Sequence, residues 1–329
     1  MSVRWMTRIL LLAQAALALL IGWGLQRWGG FASSPALAGG VAAVVAARLL
    51  INMNNFLLAA CFASPTPAAF RLGPAARLRL LAEEFCASML TTSWRMPRAV
   101  AGMEVYPDAV LPPVLLVHGY GCNSGYWARL LPLLAAARIS HASVDLAPIG
   151  GDIDGYAAQI EDAVARLCAA SGTTQVAIVA HSMGGLVARA WMRACGTARV
   201  ARVITLGTPH HGTALAGFGP GANAMQMRWS RAQGASPWLQ RLATEESEAA
   251  RALVTSLYTH HDNIVSPQTS SVLPGARHIE LGGVGHVALG SNRRVLAAVI
   301  KELRALAPAA ALPSVAPSVA PSVAPLRAQ

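Results

Sequence analysis

A largely apolar run from Gln175 to Ala180 and an apolar-periodic stretch from Leu186 to Cys195 are separated by His181-Ser182-Met183-Gly184-Gly185. The run suits a buried strand and the periodic stretch suits a helix. Only a sharp turn can join them, and small residues must flank it because the strand and helix backbones cross closely there. Ala180, Gly184 and Gly185 meet that need. Ser182 occupies the turn itself, where a strained backbone lifts a hydroxyl above a sheet edge. A short pattern of this kind also arises by chance, and an ordinary helix start capped by Ser182 would read the same. The strand before and the helix after argue for the strained turn, and partner residues in the correct order would strengthen it.

Such partners follow in the chain. Val114 to Val117 is a short, fully apolar run ending in His118-Gly119-Tyr120-Gly121. Acyl transfer needs two backbone N–H groups aimed at a developing oxyanion. Met183, at a helix N-terminus, is placed to supply one, and Tyr120 in the loop after the earlier strand is placed to supply the other. A tight turn with a hydrogen-bonded His118 is the plainer reading of that loop. Downstream, a strand from Leu253 to Thr259 leads into His260-His261-Asp262, and a strand from His278 to Leu281 leads into Gly282-Gly283-Val284-Gly285-His286. Asp262 is the natural orienting acid and His286 the natural general base. The order Ser182, Asp262, His286 is that of α/β-hydrolases rather than of other serine-protease folds.

Together with Val203-Ile204-Thr205-Leu206-Gly207 and the Thr208-Pro209-His210-His211-Gly212 loop, these segments resemble the small bacterial triacylglycerol lipases and esterases of the α/β-hydrolase superfamily. The resemblance covers roughly residues 111–306. It implies a mainly parallel sheet with helices on both faces, an acyl-enzyme on Ser182, Asp262 as acid, His286 as base, Tyr120 and Met183 as oxyanion donors, and no cofactor. This chain departs from the pattern at Ala180, where the first glycine of the elbow is usual, and in an N-terminal extension that secreted lipases lack. A short-chain esterase, thioesterase or acyltransferase would use the same triad. A membrane-tethered binding protein without turnover would be marked by a missing triad member, and none is missing.

Between the strand ending at Leu206 and the Asp262 strand lies a long insert, with a lid-like part at about residues 213–250. Its Met225, Met227, Trp229 and Trp238 suit an adaptable substrate wall; ordinary packing of a cap helix is the plainer alternative. His210, His211, His260 and His261 match no structural zinc spacing, so no metal is expected. The Asp152 and Asp154 stretch lacks the further ligands of a calcium loop. His181 should pack beside the turn, and Asp145 should anchor a loop.

Mean hydropathy is +0.44, high for a soluble enzyme, and much of it lies in residues 1–62. Ile9 to Leu25 is apolar enough for one membrane helix. Ala36 to Phe62 is long enough for a second but carries Arg48, Asn52, Asn54 and Asn55. Three arrangements fit: a transmembrane hairpin, a single uncleaved anchor, or a cleaved signal peptide. The hairpin is preferred. It puts Arg4 and Arg8 on the side of Arg71, Arg77, Arg79, Arg95 and Arg98, and the positive-inside rule then sets the hydrolase domain on the cytoplasmic face of a bacterial inner membrane. Residues 63–110 read as a linker with an amphipathic helix over Arg77 to Leu90.

Net charge is +11, and Lys301 is the only lysine among 26 basic residues. Without an aromatic-interleaved basic patch, nucleic-acid binding is not expected, whereas the juxtamembrane arginines fit anionic lipid headgroups. The expected partners are therefore a lipid or other ester and a membrane. The 5 cysteines have no regular spacing and indicate no disulfide framework. Residues 307–329, with Pro-Ser-Val-Ala repeats, read as an extended tail.

Overall fold

The computed structural model describes residues 1–307, so the repeat tail from residue 308 onward lies outside the described residues. The chain opens with two long antiparallel helices, α1 (Val3–Gly29) and α2 (Ser33–Cys61). Their most apolar windows have mean hydropathies of 1.9 and 1.8, and each helix is long and apolar enough to cross a membrane. Gly30, at φ 71°, ends α1 in the left-handed conformation that lets the chain turn back. Small residues let the helices approach closely: a Cβ on Gly40 would lie 2.0 Å from the Ala18 carbonyl oxygen. Arg48, which weakens the second stretch as a span, is satisfied by side chains of α1 and of the segment after Leu90. Its guanidinium donates to Ser93 Oγ at 2.7 Å, to Gln14 Oε1 at 3.3 Å and to Thr92.

Helix α3 (Pro74–Leu90) starts with proline at a first-turn position that needs no N–H, and runs into a single π-turn over Thr91–Arg95. The strands are β1 (Met103–Glu104), β2 (Val114–Val117), β3 (His141–Val144), β4 (Val176–His181), β5 (Val200–Leu206), a small hairpin of β6 (Trp229–Ser230) and β7 (Gly234–Ala235), then β8 (Val254–Thr259) and β9 (Arg277–Leu281). The main sheet has the order β1-β3-β2-β4-β5-β8-β9 and is parallel except where β1 joins β3. Its remaining helices are α4 (Leu131–Ala136), α5 (Ala157–Ser171), α6 (Met183–Cys195), α7 (Ala222–Gln226), α8 (Pro237–Glu245), α9 (Glu248–Ala252) and α10 (Arg293–Arg304).

Alternation along the central strands divides the core in two. Leu115, Val117 and Ile178 pack under α5 and α6 with Ile160, Val164 and Leu186. Val114, Leu116 and Val179 pack on the other face against Trp127, Leu130 and the α10 residues Val295, Val299 and Leu303. Full burial of such side chains contributes about 1.5–3 kcal/mol each, which is why every residue of β2 and β4 is apolar up to His181. The chain goes from β2 outward to β3 and then crosses to β4 on β2's other side. Strand order reverses there, so the loops after β2 and β4 open a crevice at the carboxyl ends of the strands.

Candidate active site

Ser182 lies in that crevice, between β4 and α6, with φ 53° and ψ −126°. This is an unusual backbone for a non-glycine residue, and crowding of the neighbours enforces it. A Cβ on Gly184 would meet the Val117 oxygen at 2.5 Å, and one on Gly185 would meet Thr208 Oγ1 at 2.2 Å. The turn is closed by Ser182 N–H donating to the Leu206 oxygen at 2.9 Å and by Thr208 Oγ1 donating to the Ser182 oxygen at 2.8 Å. Gly119 approaches so closely that a Cβ there would lie 2.8 Å from the Ser182 Cβ, which brings the loop after β2 against the serine.

His118 holds that loop. Its Nδ1–H donates to the Gly119 oxygen at 2.8 Å and its Nε2 accepts the Leu146 N–H at 2.9 Å, a pair of bonds that selects the neutral tautomer. Burial lowers its pKa in the same sense. The hydrogen-bonded-turn reading of His118 and the oxyanion-loop reading of Tyr120 are thus compatible. Among the described residues, the N–H groups of Tyr120 and Met183 donate to no protein acceptor. The Tyr120 hydroxyl donates to the Pro220 oxygen at 2.7 Å and ties the loop to the insert.

Asp262 and His286 stand after β8 and β9. His286 Nδ1–H donates to Asp262 Oδ2 at 2.8 Å. Asp262 Oδ1 accepts the N–H groups of Ile264 at 2.8 Å and Val265 at 2.7 Å, so its carboxylate is fixed before it meets the imidazole. Burial alone would lower the His286 pKa; the Asp262 charge and hydrogen bond, with a further contribution from Glu84, outweigh it and raise the value. Gly207, at φ 55°, backs the pair: a Cβ there would stand 3.0 Å from Asp262 Oδ2 and 3.3 Å from His286 Nδ1. His181 packs beside the turn, its ring 4.0 Å from Tyr126 in a stack and 4.6 Å from His286. Burial first, and His286 second, hold His181 neutral.

Sequence reasoning missed Glu84. It projects from α3, in the segment read as a linker, and is fully buried. Its carboxylate accepts the N–H of Val287 at 2.9 Å and of Ala288 at 2.8 Å, clamping the turn that begins at His286. A Cβ on Gly285 would meet Glu84 Oε2 at 2.5 Å, so the glycine before the histidine is the seat of this carboxylate. The available signal was a glutamate in the apolar spacing of α3. Nothing local indicates which loop, about two hundred residues later, it reaches.

A cavity of about 270 Å³ opens at Ser182 and is lined by Tyr120, Pro209, Leu215, Met227, Ile264 and Leu58, among others. Of the four insert residues expected to form the substrate wall, only Met227 lies there. Met225 and Trp229 line a neighbouring surface cavity with Arg228, and Phe218 borders both cavities. Trp238 packs into the core, 4% exposed, with Nε1 donating to Asp154 Oδ2 at 2.9 Å. The reason is the amphipathic α8, which buries Trp238, Leu239 and Leu242 and fixes this half of the insert to the body. Asp145 accepts the Ser124 N–H at 2.6 Å and anchors a loop. Among the described residues, no three His, Cys, Asp or Glu side chains form a metal-binding cluster. His210 is instead buried beside Arg189.

Residues 112–251 match a family model described as alpha/beta hydrolase fold. A triacylglycerol lipase of Burkholderia plantarii is 33% identical over 130 residues, 37% of this chain and 36% of the relative. A triacylglycerol lipase of Pseudarthrobacter phenanthrenivorans is 32% identical over 114 residues, 32% of this chain and 35% of the relative. The chain therefore matches little more than a third of these curated relatives' length. Among solved structures, the mature form of Bacillus licheniformis lipase BlEst2 superposes with a TM-score of 0.54 at 19% identity, covering 62% of this chain and 97% of that one. Aspergillus fumigatus lipase B superposes with a TM-score of 0.51 at 18% identity, over 63% and 57% of the two chains. The mainly parallel sheet and these superpositions give the protein an α/β-hydrolase fold. Over about a third of the chain, its sequence is similar to the two triacylglycerol lipases.

Proposed function

We propose that the protein is a membrane-anchored serine hydrolase that cleaves carboxylic esters in lipase-like fashion, through an acyl-enzyme on Ser182. The observation that carries this reading is the buried Asp262–His286 pair, hydrogen-bonded at 2.8 Å, at the same sheet edge as a serine held at φ 53°. Asp262 fixes the proton on Nδ1, which leaves Nε2 as the base. His286 takes the Ser182 proton as the hydroxyl oxygen attacks the ester carbonyl, and the N–H groups of Tyr120 and Met183 receive the oxyanion. The imidazolium then protonates the leaving alcohol. Water, deprotonated by the same nitrogen, releases the acid and restores the serine.

The lipase names of the relatives and the apolar lining of the cavity support esters with an acyl chain. The hairpin α1–α2 supports anchorage, and its Arg4 and Arg8, on the hydrolase side, favour the cytoplasmic face of an inner membrane. A fluorophosphonate probe tests the core of the reading. Wild-type protein should be labelled and should hydrolyse p-nitrophenyl esters, and Ser182→Ala should do neither. Labelling that survives in Ser182→Ala would overturn the assignment.

A further inference from the structure

The cavity at Ser182 has a wall that belongs to the membrane hairpin. Asn55 and Leu58 of α2 line it. The last carbonyls of a helix are short of intrahelical donors, and here the catalytic domain donates to two, of which the Ala59 oxygen also accepts the Phe62 N–H at 3.1 Å. Ser266 Oγ donates to the Ala59 oxygen at 2.7 Å, and Arg231 Nη2 donates to the Cys61 oxygen at 2.6 Å. Just beyond the helix, Ser64 N–H donates to Gln268 Oε1 at 3.0 Å, and Gln268 Nε2 donates to the Asp262 backbone oxygen at 2.9 Å. The end of α2 is therefore fastened to the loop that carries the acid.

The register of the hairpin sets the depth of this wall. Gly22 lies against Ala36 and Gly40 against Ala18. Continued along the helices, that pairing puts Asn55 level with the first turn of α1, where Arg4 stands. From Ser33 to Asn55 the helix rises about 33 Å at 1.5 Å per residue, against a hydrocarbon core about 30 Å thick. With the hairpin turn at one bilayer face, Asn55 and Leu58 stand at the other, where the ester carbonyls of a glycerolipid lie. One turn deeper, Leu50 and Ile51 are each 63% exposed, an apolar surface on the same helix. The cavity, at about 270 Å³, falls below the roughly 300–1,000 Å³ usual for sites that enclose a whole ligand. Most of a long-chain ester bound there must remain outside it.

We infer that the substrate is a long-chain acyl ester resident in the bilayer, which enters sideways along α2 past Leu58. Its carbonyl reaches Ser182 while the rest of its chain stays among lipid tails. Leu58 and Asn55 are then specificity-determining residues contributed by a membrane helix. This inference rests on the ester-hydrolase reading above.

The test uses the full chain in phosphatidylcholine vesicles and a long-chain alkyl fluorophosphonate bearing a diazirine near the chain end. After the phosphonate has reacted, illumination should crosslink the chain to α2 within residues 50–58. Crosslinks confined to the 228–240 surface would overturn lateral entry, because the chain would then leave through the other cavity. Failure of the phosphonate to react would instead sink the serine-hydrolase reading itself. In parallel, Leu58→Trp, which narrows the passage, should lower the ratio of turnover on vesicle-embedded dioleoylglycerol to turnover on p-nitrophenyl acetate at least tenfold. The outward-facing Leu57→Trp should leave that ratio within twofold of wild type. An unchanged ratio in phosphonate-reactive Leu58→Trp protein would also refute the inference.

Discussion

Replacing Glu84 with glutamine separates the charge of this residue from its shape. The carboxylate accepts two backbone N–H groups, those of Val287 and Ala288. Glutamine offers one oxygen, so the second buried donor faces an NH₂ group and loses its acceptor, at a cost of about 1–3 kcal/mol. The turn beginning at His286 can relieve that cost only by moving. If the movement is carried fully into the position of the base, turnover falls roughly 10- to 100-fold. Stability changes less, because burial raises the Glu84 pKa and the folded protein pays to keep that carboxylate ionised. The loss should thus appear in kcat more than in the melting temperature. The acid limb of the pH profile carries a second signature. Burial depresses the His286 pKa, but the Asp262 charge and hydrogen bond and then the Glu84 charge raise it above the usual imidazole value near ~6.5. In the proposed mechanism His286 is the base and must be deprotonated to act, so kcat/KM should climb as pH rises through that raised value. Glu84→Gln removes one of the negative charges, and the limb should move to lower pH. The assay is the pH profile of kcat/KM on p-nitrophenyl acetate for both proteins. Wild-type turnover with an unmoved acid limb would refute the role of Glu84 as a positioning residue.

Two further substitutions probe the frame around the site. Gly207→Ala puts a Cβ at φ 55°, 2.7 Å from Leu289 Cδ1 and 3.0 Å from Asp262 Oδ2; since a displacement of about 1 Å can cost 10²-fold, kcat/KM on p-nitrophenyl acetate should drop by at least tenfold, and wild-type activity would contradict the packing argument. Arg189 and Glu246 form a buried two-pronged ion pair, with contacts of 2.8 and 3.1 Å; Arg189→Met leaves the carboxylate only the more distant Arg251 Nε at 3.9 Å and should cost up to about 3–5 kcal/mol, read as a lower urea midpoint, and an unchanged midpoint would show the pair to be energetically idle.

Much of the architecture could be read from local pattern. The expected strand from Gln175 to Ala180 is β4 at Val176–His181, and the strand expected from Leu253 is β8 at Val254–Thr259. Both strands are fully buried; the apolar run of β4 is unbroken up to Ala180, whereas β8 is interrupted by Thr255 and Ser256 and was legible from its β-branched and aromatic residues. Boundaries shifted by a residue or two because hydrogen bonding to neighbouring strands, rather than hydropathy, sets where a strand stops. The insert was read less well. Met225, Met227, Trp229 and Trp238 look equivalent as apolar residues on a polar-flanked segment. Which of them meets the cavity depends on α8 burying Trp238 while the 213–227 stretch turns toward Ser182.

The sequence by itself determined the strand–turn–helix at Ser182, the order of Ser182, Asp262 and His286, and two apolar N-terminal stretches. Each rests on side-chain type and spacing along a short piece of chain, where periodicity and turn sterics act directly. Tertiary structure alone decided that Glu84 clamps the histidine turn, that Arg48 finds polar partners on α1 and in the π-turn after α3, and that Asn55 and Leu58 wall the cavity at the serine. These contacts join residues from 34 to 204 positions apart. A buried charge or a half-buried wall acquires its meaning from the partner it meets in the fold, and local sequence carries no trace of that partner.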